Sequence, residues 1–240
     1  MNTPDPYATL ARHYDRLMAS VPYGRWAKFI AAFAAPGAKI IDLGCGTGNL
    51  ALRLSRAGFQ VIGIDISPAM LSIASAKPGS GQVQWLHQSF FNFTETADLV
   101  CCTCDGLNHI IQVKDIIAVF RQVYRKLRPG GCFIFDINSP DKYRHILADN
   151  LFYLSSDTGE IIWQNHFSYP WNEADLTLFE RKGDFYSRHR ISIVERCYQP
   201  SSLLYWLRQT GFSVGDLKDD YTMRSPGFKT QRITFVGKKI

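Results

Sequence analysis

The sequence predicts an α/β protein in which a doubly wound, mostly parallel sheet of seven strands carries an inserted antiparallel β meander. Short apolar runs alternate with helical patterns over residues 39–137, and this alternation is typical of parallel βαβ units with both sheet faces covered. After Pro140 the pattern changes to long extended runs separated by turn signals, which indicates antiparallel strands. A last helix and two strands then return the chain to the main sheet.

The first half of the chain supplies the parallel units. Helical patterns at about 8–19 and 24–33 are separated by a Pro-Tyr-Gly break. Gly58 ends the helix before the second strand, and Ser67 with Pro68 provides an N-cap and a first-turn proline for the helix after it. The predicted strands lie at 39–43, 60–64, 82–86, 98–103 and 132–137, with a long amphipathic helix at 113–127 before the fifth.

The second half of the chain begins with the meander. Its extended runs lie between residues 160 and 198, with turn signals at 170–174 and 182–184. The final elements are a helix at 200–210, which ends at Gly211, and strands at 213–217 and 232–237.

Composition and charge exclude several classes of protein. The 240 residues are 46% hydrophobic and 13% aromatic, so the chain is neither disordered nor collagen-like. The net charge of +6 is spread along the chain, so we do not expect a nucleic-acid partner. No apolar run approaches the roughly 20 residues of a membrane span, and residues 1–10 lack the apolar region of a signal peptide. We therefore expect a cytoplasmic protein with no membrane partner.

The sharpest signal is a glycine-rich run, which reads Asp42-Leu43-Gly44-Cys45-Gly46-Thr47-Gly48. It lies between the first strand and a helix, where ligands bind in open α/β sheets. Its three glycines permit a tight turn and let a ligand approach main-chain N–H groups. The spacing is G-x-G-x-G, whereas the pyrophosphate motif of dinucleotide enzymes is G-x-G-x-x-G.

Asp65 ends the second strand, 21 residues beyond Gly44. A carboxylate at this place can accept hydrogen bonds from both ribose hydroxyls of a bound adenosine. An N-cap for the next helix is the alternative role, but Ser67 already fills that position. Asp65 therefore points to a ligand that contains a ribose.

Taken together, these segments resemble the class I S-adenosylmethionine-dependent methyltransferases over nearly the whole chain. The matching segments, in chain order, are 42–48, Asp65, the fourth-strand motif at 98–105 and the turn at 127–131. The small-molecule branch, which includes glycine and amino-sugar N-methyltransferases, is matched by Tyr14-Asp15-x-Leu17, Pro22-Tyr23-x-x-Trp26 and 135–140. The resemblance implies S-adenosyl-L-methionine as the cofactor and an antiparallel last strand.

The resemblance also implies how the chain is divided. A cofactor-binding methyltransferase domain is expected at 1–140 and 199–240, with a helical lid at 1–35. The segment 141–198 is expected to be an inserted β subdomain that covers the site and supplies the acceptor pocket. A homodimer contact through this meander, or a purely structural insert, is the alternative, and it is compatible with the first role.

The implied cofactor contacts map onto eleven positions. They are Tyr14, Asp42, Gly44, Cys45, Gly46, Gly48, Asp65, Ile66, Ser89, Phe90 and Cys104. Ser89 departs from the family pattern, which has an acidic residue there to accept from the adenine amino group. A serine hydroxyl can accept the same bond without charge, which weakens it by about 1 kcal/mol. Gln88 is the alternative source of this contact.

The implied reaction is methyl transfer to a small-molecule acceptor. Candidate catalytic residues are His109, Tyr14 and Asp105, and candidate substrate contacts are Tyr23, Asn108 and His166. Local packing is the alternative role for His109 and for both tyrosines. The sequence shows no placed general base, which slightly favours nitrogen over oxygen as the acceptor because a neutral amine needs none.

Other chemistries are less favoured. Cys101, Cys102 and Cys104 lack a second Cys or His pair at ligand spacing, so no metal site is expected, and all six cysteines are expected to be reduced. No proline precedes Cys104, which argues against a nucleophilic cysteine of the cytosine methyltransferase type. The two rival functions are an RNA-modifying methyltransferase, suggested by the basic residues at 121–128, and a catalytically inactive partner subunit that binds the cofactor.

Overall fold

Two separate β-sheets and the helices packed on them make up residues 7–240, which are the residues that the structure, a computed structural model, describes. The strands are β1 (Lys39–Leu43), β2 (Gln60–Asp65), β3 (Val83–His87), β4 (Ala97–Cys102), β5 (Leu127–Asn138), β6 (Leu151–Ser156), β7 (Gly159–Ser168), β8 (Trp171–Lys182), β9 (Phe185–Arg196), β10 (Phe212–Val214), β11 (Lys218–Asp219) and β12 (Arg232–Lys239).

Helices pack on both faces of the main sheet, and the first helix packs against the second sheet. They are α1 (Ala11–Leu17), α2 (Tyr23–Ala31), α3 (Asn49–Arg56), α4 (Pro68–Ala76), α5 (Val113–Lys126), α6 (Pro140–Lys142, continued by a π-helical turn at Tyr143–Leu147) and α7 (Pro200–Thr210). Among the described residues, no helix combines the length and the apolar character that crossing a membrane requires. The predicted N-cap is confirmed, because the Ser67 hydroxyl accepts from the backbone N–H of Met70.

The main sheet has the strand order β10-β12-β5-β4-β1-β2-β3, and the short β11 pairs with β12 at its side. The pairs β1–β2, β2–β3, β1–β4 and β4–β5 are parallel, whereas β12 is antiparallel to both β5 and β10. The doubly wound, mostly parallel sheet with an antiparallel last strand is therefore confirmed. The order reverses at β1, so the carboxyl ends of β1 and β4 border the crevice where such sheets bind ligands.

The core follows from the alternation of side chains along the strands. In β5, Phe133 and Phe135 face the layer formed by α5 and α7, whereas Ile134 faces the layer formed by α2 and α3. All three side chains are fully buried. A strand with apolar side chains on both faces requires a helix layer on each side. The helices that connect the strands therefore lie on both faces of the sheet, which makes it doubly wound.

The second sheet is the predicted meander, with the order β6-β7-β8-β9 and antiparallel pairing throughout. Its first strand, β6, was not predicted. Leu151 and Tyr153 are apolar or aromatic although they lie on the exposed face, so the sequence there does not alternate between apolar and polar residues. The turn predicted at 170–174 is confined to Tyr169 and Pro170, and β8 begins directly after it. The sheet buries its apolar face against α1.

A glycine in the loop before α3 gives a testable consequence of this packing. Gly48 has a φ of +79°, and a Cβ there would lie 2.4 Å from the ring of Trp85. Gly58 has a φ of +92° with no neighbouring atom within 4 Å. In both Gly→Ala variants the left-handed backbone should lower the free energy of unfolding by about 1–2 kcal/mol. In Gly48→Ala, overpacking against Trp85 should lower it by a further 1–3 kcal/mol, roughly.

Urea denaturation of the two variants measures this difference. The ring of Trp85 is held by a hydrogen bond from its Nε1 to the carbonyl of Ser80 (3.2 Å), so it cannot turn aside without loss. Equal free energies of unfolding for Gly48→Ala and Gly58→Ala would contradict the close packing of Trp85 on the loop.

Candidate functional site

The loop between β1 and α3 forms the floor of the site. Gly44 and Gly46 have φ angles of +76° and +53°, which glycine adopts at no steric cost. The backbone N–H of Gly46 donates to Asp65 Oδ2 (2.7 Å), and that of Ser67 donates to Asp65 Oδ1 (2.9 Å). Each carboxylate oxygen can accept a second hydrogen bond. Asp65 therefore fixes the loop and can still accept from hydroxyls of a ligand.

A cavity of about 270 Å³ lies above this loop at the carboxyl ends of β1, β2 and β4. Its size is near the lower end of the range for small-molecule sites, about 300 Å³. Its lining is mostly apolar with a few polar groups, and comprises Tyr7, Tyr14, Gly44, Gly46, Asp65, Ile66, Met70, Ser89, Phe90, Phe91, Thr103, Cys104, Gly106, His109 and Ile110. A smaller space of about 20 Å³ adjoins it between Tyr14, Tyr23 and Asp42.

Asp42 presents a buried acceptor to the smaller space. The residue is 1% exposed, and its Oδ2 has no hydrogen-bond partner among the described residues. Burial raises the pKa of Asp42 to about 7. A buried polar atom without a partner is costly, so a donor from a ligand or water at this place would be bound favourably.

Helix α1 closes the site from above. The ring of Tyr14 lies 3.6 Å from the position that a Cβ on Gly46 would take. The carboxylate of Asp15 accepts from Thr47 Oγ1 and from Asn49 Nδ2 (2.8 Å), and it pairs with Lys77 (2.6 Å). Burial would raise the pKa of Asp15, but these bonds outweigh it and lower the pKa. The helix is therefore fixed to the glycine loop through one carboxylate.

A buried ion-pair network lies where β4, β5 and β12 meet. The guanidinium of Arg232 bonds to Asp136 and to Asp105 Oδ1 (2.9 Å). Asp136 also accepts from the Tyr221 hydroxyl (2.6 Å) and from the backbone N–H of Asp105 (2.9 Å). Cys104 and Asp105 both have left-handed backbone angles, near +55° and +52°, and the network holds them there. Burial would raise the pKa of Asp105, but Arg232 holds it at about 2.

His109 lies at the cavity wall beside two carboxylates. Its Nε2 is 3.8 Å from Glu195 Oε1, its Nδ1 is 3.5 Å from the Tyr7 hydroxyl, and 32% of the side chain is exposed. One carboxylate oxygen of Asp105, one imidazole nitrogen of His109 and one carboxylate oxygen of Glu195 lie within 4.8 Å of one another. This distance would suit a metal ion, but Asp105 Oδ1 already bonds to Arg232, so the three groups are better suited to holding and moving a proton.

Most of the predicted cofactor residues meet at this place. Ten of the eleven line the two spaces: Tyr14, Asp42, Gly44, Cys45, Gly46, Asp65, Ile66, Ser89, Phe90 and Cys104. Gly48 does not, because it packs against Trp85. Ser89 lines the cavity, but its hydroxyl donates to Asn92 Oδ1 (2.8 Å) and accepts from the N–H of Phe91. Gln88 is absent from the lining.

The predicted catalytic and substrate residues divide into two groups. His109 and Tyr14 line the cavity, Tyr23 lies beside it with its hydroxyl 3.6 Å from Cys104 Sγ, and Asp105 lies behind it in the ion-pair network. Asn108 has a different role from the one predicted: it is fully buried, donates to the carbonyl of Arg196 and accepts from the N–H of Asn138. His166 is exposed on β7 and does not reach the cavity.

Several residues at the site carry no motif that a sequence could reveal. Glu195 and Arg232 lie 86 and 127 residues from their partners His109 and Asp105, and only the fold brings them together. Tyr7 precedes α1 in the predicted lid, of which residues 1–6 lie outside the described residues. The ring of Tyr7 packs edge-on against the imidazole of His109, with 6.2 Å between the two ring centres.

Comparisons with known proteins agree with this geometry. A family model described as a methyltransferase domain matches residues 40–131. A protein of Geobacillus sp. (strain WCH70) that is classed as a methyltransferase is 34% identical, over 97% of this chain and 99% of its own. The solved structure of an S-adenosylmethionine-dependent methyltransferase from Clostridium acetobutylicum ATCC 824 has a TM-score of 0.86 and 31% identity, over 98% of this chain and 99% of that one. The sugar N-methyltransferase KedS8 from Streptoalloteichus sp ATCC 53650 has a TM-score of 0.78 at 18% identity, over 94% and 92% of the two chains, and so is similar in fold alone.

The ion-pair network predicts a large effect on stability. In Arg232→Met, the fully buried Asp136 and the mostly buried Asp105 lose their cation, and the free energy of unfolding should fall by about 3–5 kcal/mol near pH 7. The matched control is Arg224→Met, which removes a guanidinium that is 76% exposed and 3.4 Å from Asp219. This control should change stability by no more than about 0.5 kcal/mol.

The same variant should reverse a pH dependence that urea denaturation can follow. The pKa of Asp105 lies near 2 in the folded state, below its ordinary value of 3.8. A lowered carboxyl pKa adds stability above the unfolded value, and this stability is lost as the pH falls through the folded value. Without Arg232, burial raises the pKa of Asp105. The difference in free energy of unfolding between the wild type and Arg232→Met should therefore narrow as the pH falls toward about 3. A constant difference across this range would contradict the ion pair between Arg232 and Asp105.

Proposed function

The chain belongs to the class I S-adenosylmethionine-dependent methyltransferases, and from this premise we propose that it methylates an amino group of a small molecule. S-adenosyl-L-methionine is its cofactor, and the protein is an enzyme. The single observation that carries the proposed acceptor is the pair of carboxylates that lie beside His109, just behind the cavity wall.

The residues present fit this cofactor. Asp65 can accept from ribose hydroxyls, and Asp42 offers a buried Oδ2 that has no partner among residues 7–240, which suits an ammonium or a water bound to one. A Cβ on Gly44 would lie 3.0 Å from the ring of Phe90, so the backbone there must stay bare for the cavity to remain open. When bound, S-adenosylmethionine supplies a methyl group that its sulfonium sulfur already activates.

The size of the cavity supports a small acceptor. Its volume of about 270 Å³ is near the lower end for a small-molecule site, and Tyr7 and Tyr14 line it. Three of the four basic residues that suggested an RNA partner have local bonds instead: Arg125 donates to Gln122, Lys126 to the carbonyl of Thr94, and Arg128 to Asp98, whereas Arg121 is exposed. These contacts give no support to an RNA-binding face on α5.

The charges around His109 support nitrogen rather than oxygen as the acceptor. Arg232 holds the pKa of Asp105 at about 2, so this group is an anion at neutral pH, and the carboxyl group of Glu195 lies beside His109 just behind the same wall. An arriving ammonium is attracted by these groups, whereas an oxyanion forming from a hydroxyl would be repelled. Arg232 is already engaged by two carboxylates and is not available to stabilise an oxyanion.

The residues of this chain then have three tasks. Negative charge behind the cavity wall attracts the acceptor ammonium, His109 accepts its proton and leaves a neutral amine, and the two tyrosines limit the entry of water. The ring of His109 is exposed by 32%, so the proton can pass to solvent after each turnover. The amine must then be aligned with the methyl group of S-adenosylmethionine. No further activation is needed, since the sulfonium sulfur already activates that methyl group.

Mass spectrometry of a metabolite extract tests this proposal. The enzyme is incubated with the extract and with S-adenosylmethionine labelled in its methyl group, and labelled products are identified. We expect a labelled N-methyl product of a small molecule. A labelled O-methyl product, or label only in RNA, would contradict the proposed acceptor class.

Cofactor binding should depend on Asp65. Asp65→Asn keeps the size of the side chain but removes the charge that strengthens its bonds to ribose hydroxyls. Binding of S-adenosylhomocysteine should weaken by about ten- to a hundredfold, as measured by calorimetry. Gly46→Val should abolish binding, because its side chain enters the cavity beside Tyr14.

The matched control for this prediction is Asp98→Asn. Asp98 lies near the opposite end of β4, where it bonds to Arg128 and to the N–H of Lys39, and its loss should leave the affinity unchanged. Unaltered affinity in both Asp65→Asn and Gly46→Val would contradict the placement of the cofactor.

Turnover should depend on His109. His109→Ala removes the group that accepts the proton, and kcat with the acceptor found by mass spectrometry should fall by about 10²- to 10⁴-fold. Affinity for S-adenosylhomocysteine should change by no more than about twofold. The exposed His145 is the control, and His145→Ala should behave as the wild type. Full turnover by His109→Ala would contradict its role as the base.

A further inference from the structure

Glu195 reaches the site from the second sheet, as the next-to-last residue of β9. Hydrogen bonds fasten this end of β9 to the segment that carries His109: Asn108 Nδ2 to the Arg196 carbonyl (2.7 Å), the Arg196 guanidinium to the Ile111 carbonyl (2.9 Å), and the Tyr198 hydroxyl to the Ile110 carbonyl. These bonds lie on both sides of His109 and directly after Glu195, so the segments that carry the two side chains are fastened to each other.

The two carboxylate oxygens of Glu195 have different partners. Oε2 accepts from the Tyr143 hydroxyl (2.9 Å), and Oε1 faces His109 Nε2 at 3.8 Å. The residue is 9% exposed, and its burial, together with the nearby Asp105, raises the pKa of Glu195. A buried carboxylate needs a donor or a cation for each oxygen, and the imidazole of His109 is placed to serve Oε1.

Resting on the proposed function, we propose that Glu195 is the positioning residue for His109. It accepts from the Nε2–H of the imidazole and thereby leaves Nδ1 unprotonated. Nδ1 lies 3.5 Å from the Tyr7 hydroxyl, which lines the cavity, so this nitrogen faces the side from which an acceptor arrives. The inserted sheet therefore contributes a functional group and does more than cover the lid helix.

The proton transfer balances as follows. An N–H bond of the acceptor ammonium breaks, its electron pair stays on the acceptor nitrogen, and an Nδ1–H bond forms on His109. The imidazolium then carries a proton on each nitrogen, and the charge of Glu195 stabilises it through Nε2–H. The freed electron pair forms the bond to the methyl carbon as the carbon–sulfur bond breaks and leaves its pair on sulfur.

Asp105 is less suited to this role than Glu195. Its Oδ1 bonds to Arg232, and its backbone and carboxylate belong to the ion-pair network behind the cavity. The other charged groups near His109 are Lys142, which donates to Asn138 Oδ1 (2.7 Å), and Arg232 itself. The separation of 3.8 Å between His109 and Glu195 is longer than a hydrogen bond, as catalytic contacts often are before the substrate binds.

Nitrogen NMR of the imidazole rings tests the proposal without an acceptor. The full chain is labelled with ¹⁵N and saturated with S-adenosylhomocysteine, and the His109 signals are assigned by their loss in His109→Gln. In the wild type we expect the neutral ring to carry its proton on Nε2. In Glu195→Gln, which preserves the size of the side chain, we expect a mixture of the two tautomers.

Two further variants separate positioning from a structural role. Tyr143→Phe removes the hydroxyl that bonds to Oε2 but leaves Oε1 facing His109, so the tautomer should stay on Nε2. Glu173→Gln changes an exposed carboxylate on β8 and should also leave it unchanged. An unaltered tautomer in Glu195→Gln, or the same change in Tyr143→Phe as in Glu195→Gln, would overturn the proposal.

Turnover distinguishes failure of this proposal from failure of the proposed function. With the acceptor identified, Glu195→Gln should lower kcat by about 10- to 100-fold with little change in KM, and should add nothing in a His109→Ala background. A large loss in His109→Ala with none in Glu195→Gln refutes only the positioning role. No loss in His109→Ala refutes the base itself.

Discussion

The ion pairs of Arg232 are the constraint on which the acceptor side of the site depends. One guanidinium joins Asp105 after β4, Asp136 in β5 and the start of β12, and it lies 5.1 Å above the ring of Trp26. Because these charges are buried, none of the groups can move away from the others without leaving an unpaired charge. The left-handed turn at residues 104 and 105 is held in this way, and the turn leads directly into the 3₁₀ segment at Gly106–His109. The position of the proposed base is therefore set by strands that are distant in sequence.

A second constraint concerns the lid. Helix α1 lies between the second sheet and the glycine loop: Leu10 packs against Leu176 and its apolar neighbours, while Asp15 bonds to Thr47 and Asn49. The apolar face of the insert thus covers helix α1, and Glu195 at the end of β9 lies beside His109 at the cavity wall. The expectation that the insert supplies the acceptor pocket stays a prediction. What the contacts show is that α1 packs on the insert and bonds to the glycine loop at the same time.

Local signals in the sequence were sufficient to place the glycine loop, Asp65 and the Ser67 N-cap in the fold. The glycine run, Asp65 and the Ser67 N-cap are each determined by residues within one βα unit, so their spacing alone predicts where they lie. The acceptor side could not be predicted in this way, since Glu195 and Arg232 become neighbours of His109 and Asp105 only when the whole sheet has formed. Asn108 was predicted to contact the substrate because its polar side chain lies next to a candidate base in the sequence. In the fold, both of its polar atoms instead form hydrogen bonds that join β5 and β9.

The central claim is that the cofactor lies between Asp65 and the wall formed by His109, so that an acceptor nitrogen fits between the sulfur and the imidazole. A crystal structure of the complex with S-adenosylhomocysteine tests this claim most directly. We predict ribose hydroxyls bonded to Asp65, the amino group beside Asp42, and the sulfur facing Nδ1 of His109 across a gap that one nitrogen can fill. A sulfur directed away from His109, or a ligand bound outside this cavity, would contradict the account.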